Sequence, residues 1–172
     1  MLSITQATQL LAEIYDVPES GLMTTKDALR RSGMFPTAQG RSIPPTTPVR
    51  IALLIIGLGV TYPERIAELA DLRRFVYRPG DMTAQVTLGD VLSEIVKGLF
   101  ENPGKAVDMH LIMTATEAPW ATLQGPSGVV MQFGEVGNGG GFVTRQATVS
   151  LAPLALFCEA ARNLSHPYSV TG

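Results

Sequence analysis

Residues 24–50, TTKDALRRSGMFPTAQGRSIPPTTPVR, decide how the first half of this chain reads. They carry Lys26, Arg30, Arg31, Arg41 and Arg50 against a single acid, Asp27, a local charge of +4 in a protein whose total is −2. Punctuation divides the stretch. Thr24 or Thr25 caps a short helix that turns Ala28 and Leu29 inward and Lys26, Arg30 and Arg31 outward. Gly33 is placed as its left-handed stop. Residues 34–43 contain Pro36 and Gly40, lack a helical period, and read as a loop or a two-stranded wing. Pro44-Pro45 is a stiff connector. Thr47-Pro48 starts the next helix, with Thr47 as cap and Pro48 in the first helical position.

Upstream, Ser3-Ile4-Thr5-Gln6 fits a capping box. Behind it Ile4, Ala7, Leu10, Leu11 and Ile14 share one face, giving a helix to about Tyr15. Val17-Pro18 breaks it, and residues 18–21 read as a turn. Downstream, residues 48–57 are apolar nearly all round (Val49, Ile51, Ala52, Leu53, Leu54, Ile55, Ile56). Such a helix must be covered on most sides, as the centre of a bundle or as part of a subunit interface. Pro63 opens another helix with Ile66, Leu69, Ala70, Leu72 and Phe75 inward. Arg73, Arg74 and Arg78 then read as cations favoured by its C-terminal dipole. Pro79-Gly80-Asp81 is a turn and a boundary.

Thr87 caps a helix to Glu101, with Asp90 three residues on and Leu88, Val91, Leu92, Ile95, Val96 and Leu99 as its apolar stripe. Asn102-Pro103-Gly104 ends it. The period then changes to two. Residues 107–116, 120–124, 129–133 and 142–150 read as strands, joined by residues 117–119, 125–128 and the glycine-rich 134–141. Pro153 opens a last helix over 152–163, and the tail after it has no clear element. The expected fold is α+β. A helical winged helix-turn-helix domain over 1–78 precedes an oligomerisation or interaction module over 79–172, a small antiparallel sheet with a closing C-terminal helix.

Composition limits the function. Hydrophobic content of 45% and charged content of 16% describe a folded chain with a substantial core. Few charges and a positive mean hydropathy also imply that other copies cover some apolar surface, hence a homo-oligomer. The one cysteine, Cys158, excludes an intrachain disulfide, and its apolar neighbours mark it as a buried, inert thiol. The longest apolar run, residues 51–60, is too short to span a bilayer. No secretion signal opens the chain, so the expected location is cytoplasmic, without a membrane partner.

Catalytic motifs are poor. His110 and His166 have no second ligand at metal spacing. No nucleophile elbow or paired carboxylates occur. The loop Gly134-Glu135-Val136-Gly137-Asn138-Gly139-Gly140-Gly141 lacks the lysine and the following helix of a phosphate loop, and Glu135 repels phosphate. It reads as a hairpin loop. Trp120 reads as a core or interface anchor. The expectation is a non-enzymatic protein with no cofactor, no metal and no small-molecule substrate.

The basic segment points to duplex DNA. Two helices flank a short turn, the second is cationic outside, and Gly40-Arg41-Ser42 follows where a wing would lie. Thr25, Lys26, Arg30 and Arg31 are placed to approach base edges or backbone, with Arg41 and Arg50 on flanking phosphates. Leu10-Leu11, Ala28-Leu29-Arg30-Arg31-Ser32-Gly33-Met34-Phe35-Pro36 and Gly40-Arg41-Ser42 before Thr47-Pro48 carry a likeness. Over about its first 60 residues the chain resembles a winged helix-turn-helix of phage and prophage proteins. The resemblance implies a transcriptional regulator or a small-terminase-like packaging protein. The alternative is an assembly or virion component that works mainly through protein–protein contacts. The cations discriminate between them. Converging on one face they favour DNA; scattered or held in ion pairs they favour assembly.

Overall fold

The computed structural model of the chain describes residues 2–37, 45–60, 62–73, 85–102, 104–114, 119–134 and 146–165. Helix α1 (Ile4–Ile14) begins at the expected capping box: Ser3 Oγ accepts from the Gln6 amide at 3.2 Å, and Gln6 Oε1 accepts from the Ser3 amide at 3.0 Å. After Tyr15 the chain turns through Asp16, whose φ of +50° is left-handed. Helix α2 (Glu19–Arg31) follows.

The start of α2 corrects the sequence reading. Residues 18–21 are not a free turn, because the helix already begins at Glu19 behind Pro18. Thr24 is not a cap either: its hydroxyl donates to the Ser20 carbonyl at 2.9 Å, a bond made inside a helix. An extra turn forms because Leu22 reaches the core and Glu19 suits the positive end of the helix. Gly33, at φ +81°, ends the helix as expected, and the Phe35 amide donates to the Leu29 carbonyl at 3.0 Å. Residues 38–44, most of the expected wing and Arg41 with it, lie outside the described residues. Beside them Ser3 bridges Pro45, and the Thr46 amide donates to the Leu2 carbonyl at 3.0 Å.

Helix α3 (Pro48–Leu58) starts on Thr47, whose hydroxyl accepts from the Arg50 amide at 3.4 Å. Every residue from Ile51 to Gly57 is buried, so the chain itself covers this helix. Helix α4 (Arg65–Ala70) is shorter than the sequence suggests and stops before Arg73. The carbonyls beyond it are taken elsewhere: Leu72 accepts from the Leu88 amide at 2.9 Å and Arg73 from the Gly134 amide at 3.0 Å. Arg73 is therefore not a helix-terminal charge; it forms an isolated bridge with Thr87. Phe75, Arg74 and Arg78 lie outside the described residues.

Helix α5 (Leu88–Glu101) opens with the second capping box, Thr87 with Asp90. Four strands follow: β1 (His110–Thr114), β2 (Trp120–Gly125), β3 (Gly128–Phe133) and β4 (Ala147–Ser150). They pair antiparallel in the order β3-β2-β1-β4, with Met113 opposite both Ala121 and Ala147. The expected strand over 142–150 is described only from its end. Leu111, Met113, Ala121, Leu123, Phe133 and Val149 are buried on the sheet face turned to the helices. Helix α6 (Pro153–Ser165) closes the fold against α5, where Phe100 and Phe157 meet edge to face at 6.3 Å. The Tyr15 hydroxyl ties α1 to β4 by donating to the Ser150 carbonyl at 2.9 Å. Buried side chains from the helical half and from the sheet form one cluster. No described helix is long and apolar enough to cross a membrane.

Close approach of α2 to α3 depends on Gly57, where an added Cβ would stand 2.6 Å from Thr25 Cγ2. Gly57→Ala is expected to destabilise the protein by about 1–3 kcal/mol, although alanine is the better helix former. Thr25→Ala in the same chain should recover part of the loss. Urea denaturation of the two single variants and the double variant measures this coupling, and additive effects would refute it.

Candidate functional site

Helix α2 supplies four of the six residues expected at a DNA interface, and the fold separates them. Starting the helix at Glu19 places Leu22, Thr25, Lys26 and Leu29 on its buried face. Thr25 and Lys26 are each only 5% exposed. Thr25 packs against Gly57. The Lys26 ammonium lies 3.5 Å from Met23 Sδ and 3.6 Å from Asp27 Oδ1. The outward placement expected of Lys26 is thus corrected, and neither residue is presented to a duplex.

Asp27 is shared. Arg30 Nη1 also approaches Asp27 Oδ1, at 3.7 Å, while Arg30 Nε is buried without a hydrogen-bond partner among the described residues. Arg31 is exposed, and its Nε points to the Asp27 carbonyl at 3.4 Å. Arg50, on the first turn of α3, donates from Nη1 to the Pro45 carbonyl and so holds the connector before its own helix. Among the described members of the set, Arg31 alone is both exposed and free of a carboxylate partner. Among the described residues, these cations do not converge on one face.

A concave surface lies elsewhere among the described residues. A groove of about 1000 Å³ runs between α5, residues 105–109 and the β2–β3 hairpin. Its apolar lining includes Val91, Ile95, Leu99, Val107, Met109 and Met131. On α5, Leu88, Leu92, Val96 and Leu99 are buried in the core, whereas Val91 and Ile95 form a second, half-buried row one turn apart. Sequence reading merged the two rows into one stripe. The signal was its width: six apolar positions exceed what one packed face of the helix needs. Asp90, Glu94 and Asp108 stand around the groove with one cation, Lys105.

A second surface is the sheet edge. Among the described residues strand β3 pairs only with β2, and the register shift between Leu123 and Gln124 leaves Val130 as an extra residue. Val129 and Val130 are 59% and 53% exposed. From Pro119 to Gly134 the chain has no charged residue, so β3 lacks the lysines and inward charges that commonly blunt an edge.

The remaining candidates are quiet. Cys158 is buried on α6, and burial pushes its thiol up to about 12. Burial also raises the Tyr15 phenol, with Cys158 adding to the effect. His110 is exposed on β1. No group of three histidine, cysteine, aspartate or glutamate side chains among the described residues is arranged to hold a metal. Residues 135–141 of the glycine-rich loop, and His166, lie outside the described residues.

Lys26 contributes through its stem rather than its charge. Lys26→Met, which keeps the volume of the stem, is expected to change stability by less than about 1.5 kcal/mol, whereas Lys26→Ala should cost about 1–3 kcal/mol in lost packing. Chemical denaturation separates them, and a large loss in the methionine variant would restore a role for the charge. The raised thiol gives a second expectation. The unfolded thiol ionises near 9.0 and the folded one near 12. The contribution of Cys158 is therefore complete below pH 9 and disappears as the pH rises towards 12. Unfolding midpoints should fall across that window, and less so in Cys158→Ala.

No protein-family model, curated protein or solved structure matches this chain.

Proposed function

We propose that this protein is a non-enzymatic assembly component that self-associates through the exposed edge of its sheet. Strand β3 carries the reading: it is unpaired on one side among the described residues, uncharged, and exposes two adjacent valines. Antiparallel pairing of β3 with its equivalent in a second copy opposes no charges and satisfies backbone groups along both edges. The apolar surface of Val129 and Val130 leaves water in the same step. The arrangement of the cations supports the choice, since Lys26 and Arg30 share one carboxylate and Arg50 is tied to the backbone.

Duplex DNA binding through α2 is the second reading, favoured by Arg30 and Arg31 at the end of that helix. With two arginines available, the log–log salt slope should be no steeper than about −2 per protomer. The full basic segment acting together would give a steeper one.

Light scattering coupled to size exclusion at tens of micromolar tests the first reading. The parent chain should run as a dimer or larger closed assembly, and Val129→Lys/Val130→Lys should run as a folded monomer. A monomeric parent, or a double variant with unchanged mass, would overturn self-association through β3. Anisotropy with a random duplex across a salt series tests the DNA reading in parallel.

A further inference from the structure

We infer that the groove along α5 binds an amphipathic helix from a partner protein, one with an apolar face and cationic flanks. Shape is the first ground. The α5 side of the groove runs from Asp90 to Leu99, about 15 Å of helix at 1.5 Å per residue. That length takes between two and three turns of a second helix lying alongside. Val91 and Ile95 present a ridge spaced one turn apart, the spacing that receives anchors at i, i+3 or i+4, and i+7.

The lining is the second ground. Val91, Ile95, Val107, Met109 and Met131 make the site overwhelmingly apolar. The two methionines can shift rotamer to accommodate branched side chains of different shape. A peptide backbone left in extended form would bring unpaired amide groups into this apolar lining, whereas a helix satisfies its own.

Charge is the third. Asp90, Glu94 and Asp108 face the groove against Lys105. Asp90 accepts from the Thr87 amide and hydroxyl at 3.0 and 2.8 Å. Glu94 lies 3.6 Å from Lys97 in an exposed pair, which holds its carboxylate only weakly. Asp108 is exposed. The complement is an apolar stripe bordered by lysine or arginine. A second copy of this chain is a poorer occupant: the strongly cationic helix, α2, turns its apolar face into the core of its own chain.

The site is distinct from self-association through β3, although Met131 belongs to that strand, and its test is independent of mass. A dye-labelled leucine–lysine peptide of about 15 residues, with leucine on one face, is titrated into the full chain and followed by anisotropy. Its matched leucine–glutamate counterpart and a scrambled leucine–lysine sequence are run beside it. Saturable binding of the lysine peptide is expected, with the glutamate peptide weaker by about fivefold or more and the scrambled one not saturating. Ile95→Lys should abolish binding. The exposed double variant Glu94→Lys/Asp108→Lys should reverse the preference between the two peptides, and it decides the matter even where Ile95→Lys fails to fold. Absence of saturable binding, equal affinity for both peptides, or an unchanged order in the double variant would overturn the inference. Peptide binding retained by Val129→Lys/Val130→Lys separates this site from self-association.

Discussion

Burial of helix α3 is the constraint on which the rest of the fold depends. Seven consecutive residues, Ile51 to Gly57, are buried, and a helix apolar around its whole circumference is stable only when neighbours enclose it. α2 comes close through Thr25 and Gly57, and α4 places Ile66 against the same glycine. Past the end of α3, a Cβ on Gly59 would meet Met113 Cε at 2.8 Å and Ala147 Cβ at 3.0 Å. The helix therefore terminates directly on the sheet. One element joins the helical half to the strands, and the buried side chains of both form a single cluster.

That requirement explains the fate of the cations. Helix α2 packs against α3, and Lys26 lies on its buried face with Leu22, Thr25 and Leu29. A buried ammonium needs a carboxylate or an equivalent partner, and Asp27 is adjacent. The same carboxylate then draws Arg30. Charges that look like a solvated, ligand-facing cluster when written in line are, among the described residues, largely engaged with partners on their own helix. Arg50 follows the same logic at the connector before α3.

Among the described residues, the surfaces proposed for partners are apolar rather than basic. The groove beside α5 and the uncharged edge of β3 are both formed by residues 85–134. On the proposed reading, helix packing and strand addition are the modes by which such surfaces would meet other proteins. At the proposed groove, specificity would come from Asp90, Glu94, Asp108 and Lys105.

The sequence by itself determined the helix starts at Ser3, Thr47 and Thr87 and the buried nature of the helix after Pro48. A cap is a bond between residues three apart, and an apolar circumference needs no knowledge of neighbours. It also determined the change from helical to strand period after Asn102, and hence the α+β class. Tertiary structure alone decided the placement of β4 beside β1, the early end of α4, and the inward turn of Lys26. Each depends on a partner distant in sequence. The carbonyls of Leu72 and Arg73 are claimed by Leu88 and Gly134, and Lys26 is drawn inward by the phase of α2 against Gly57. The groove was half legible, in the width of the α5 stripe. Which row faces the core was settled only once α3 and α6 had taken the other side, because packing partners choose a helix's buried face and periodicity merely offers it.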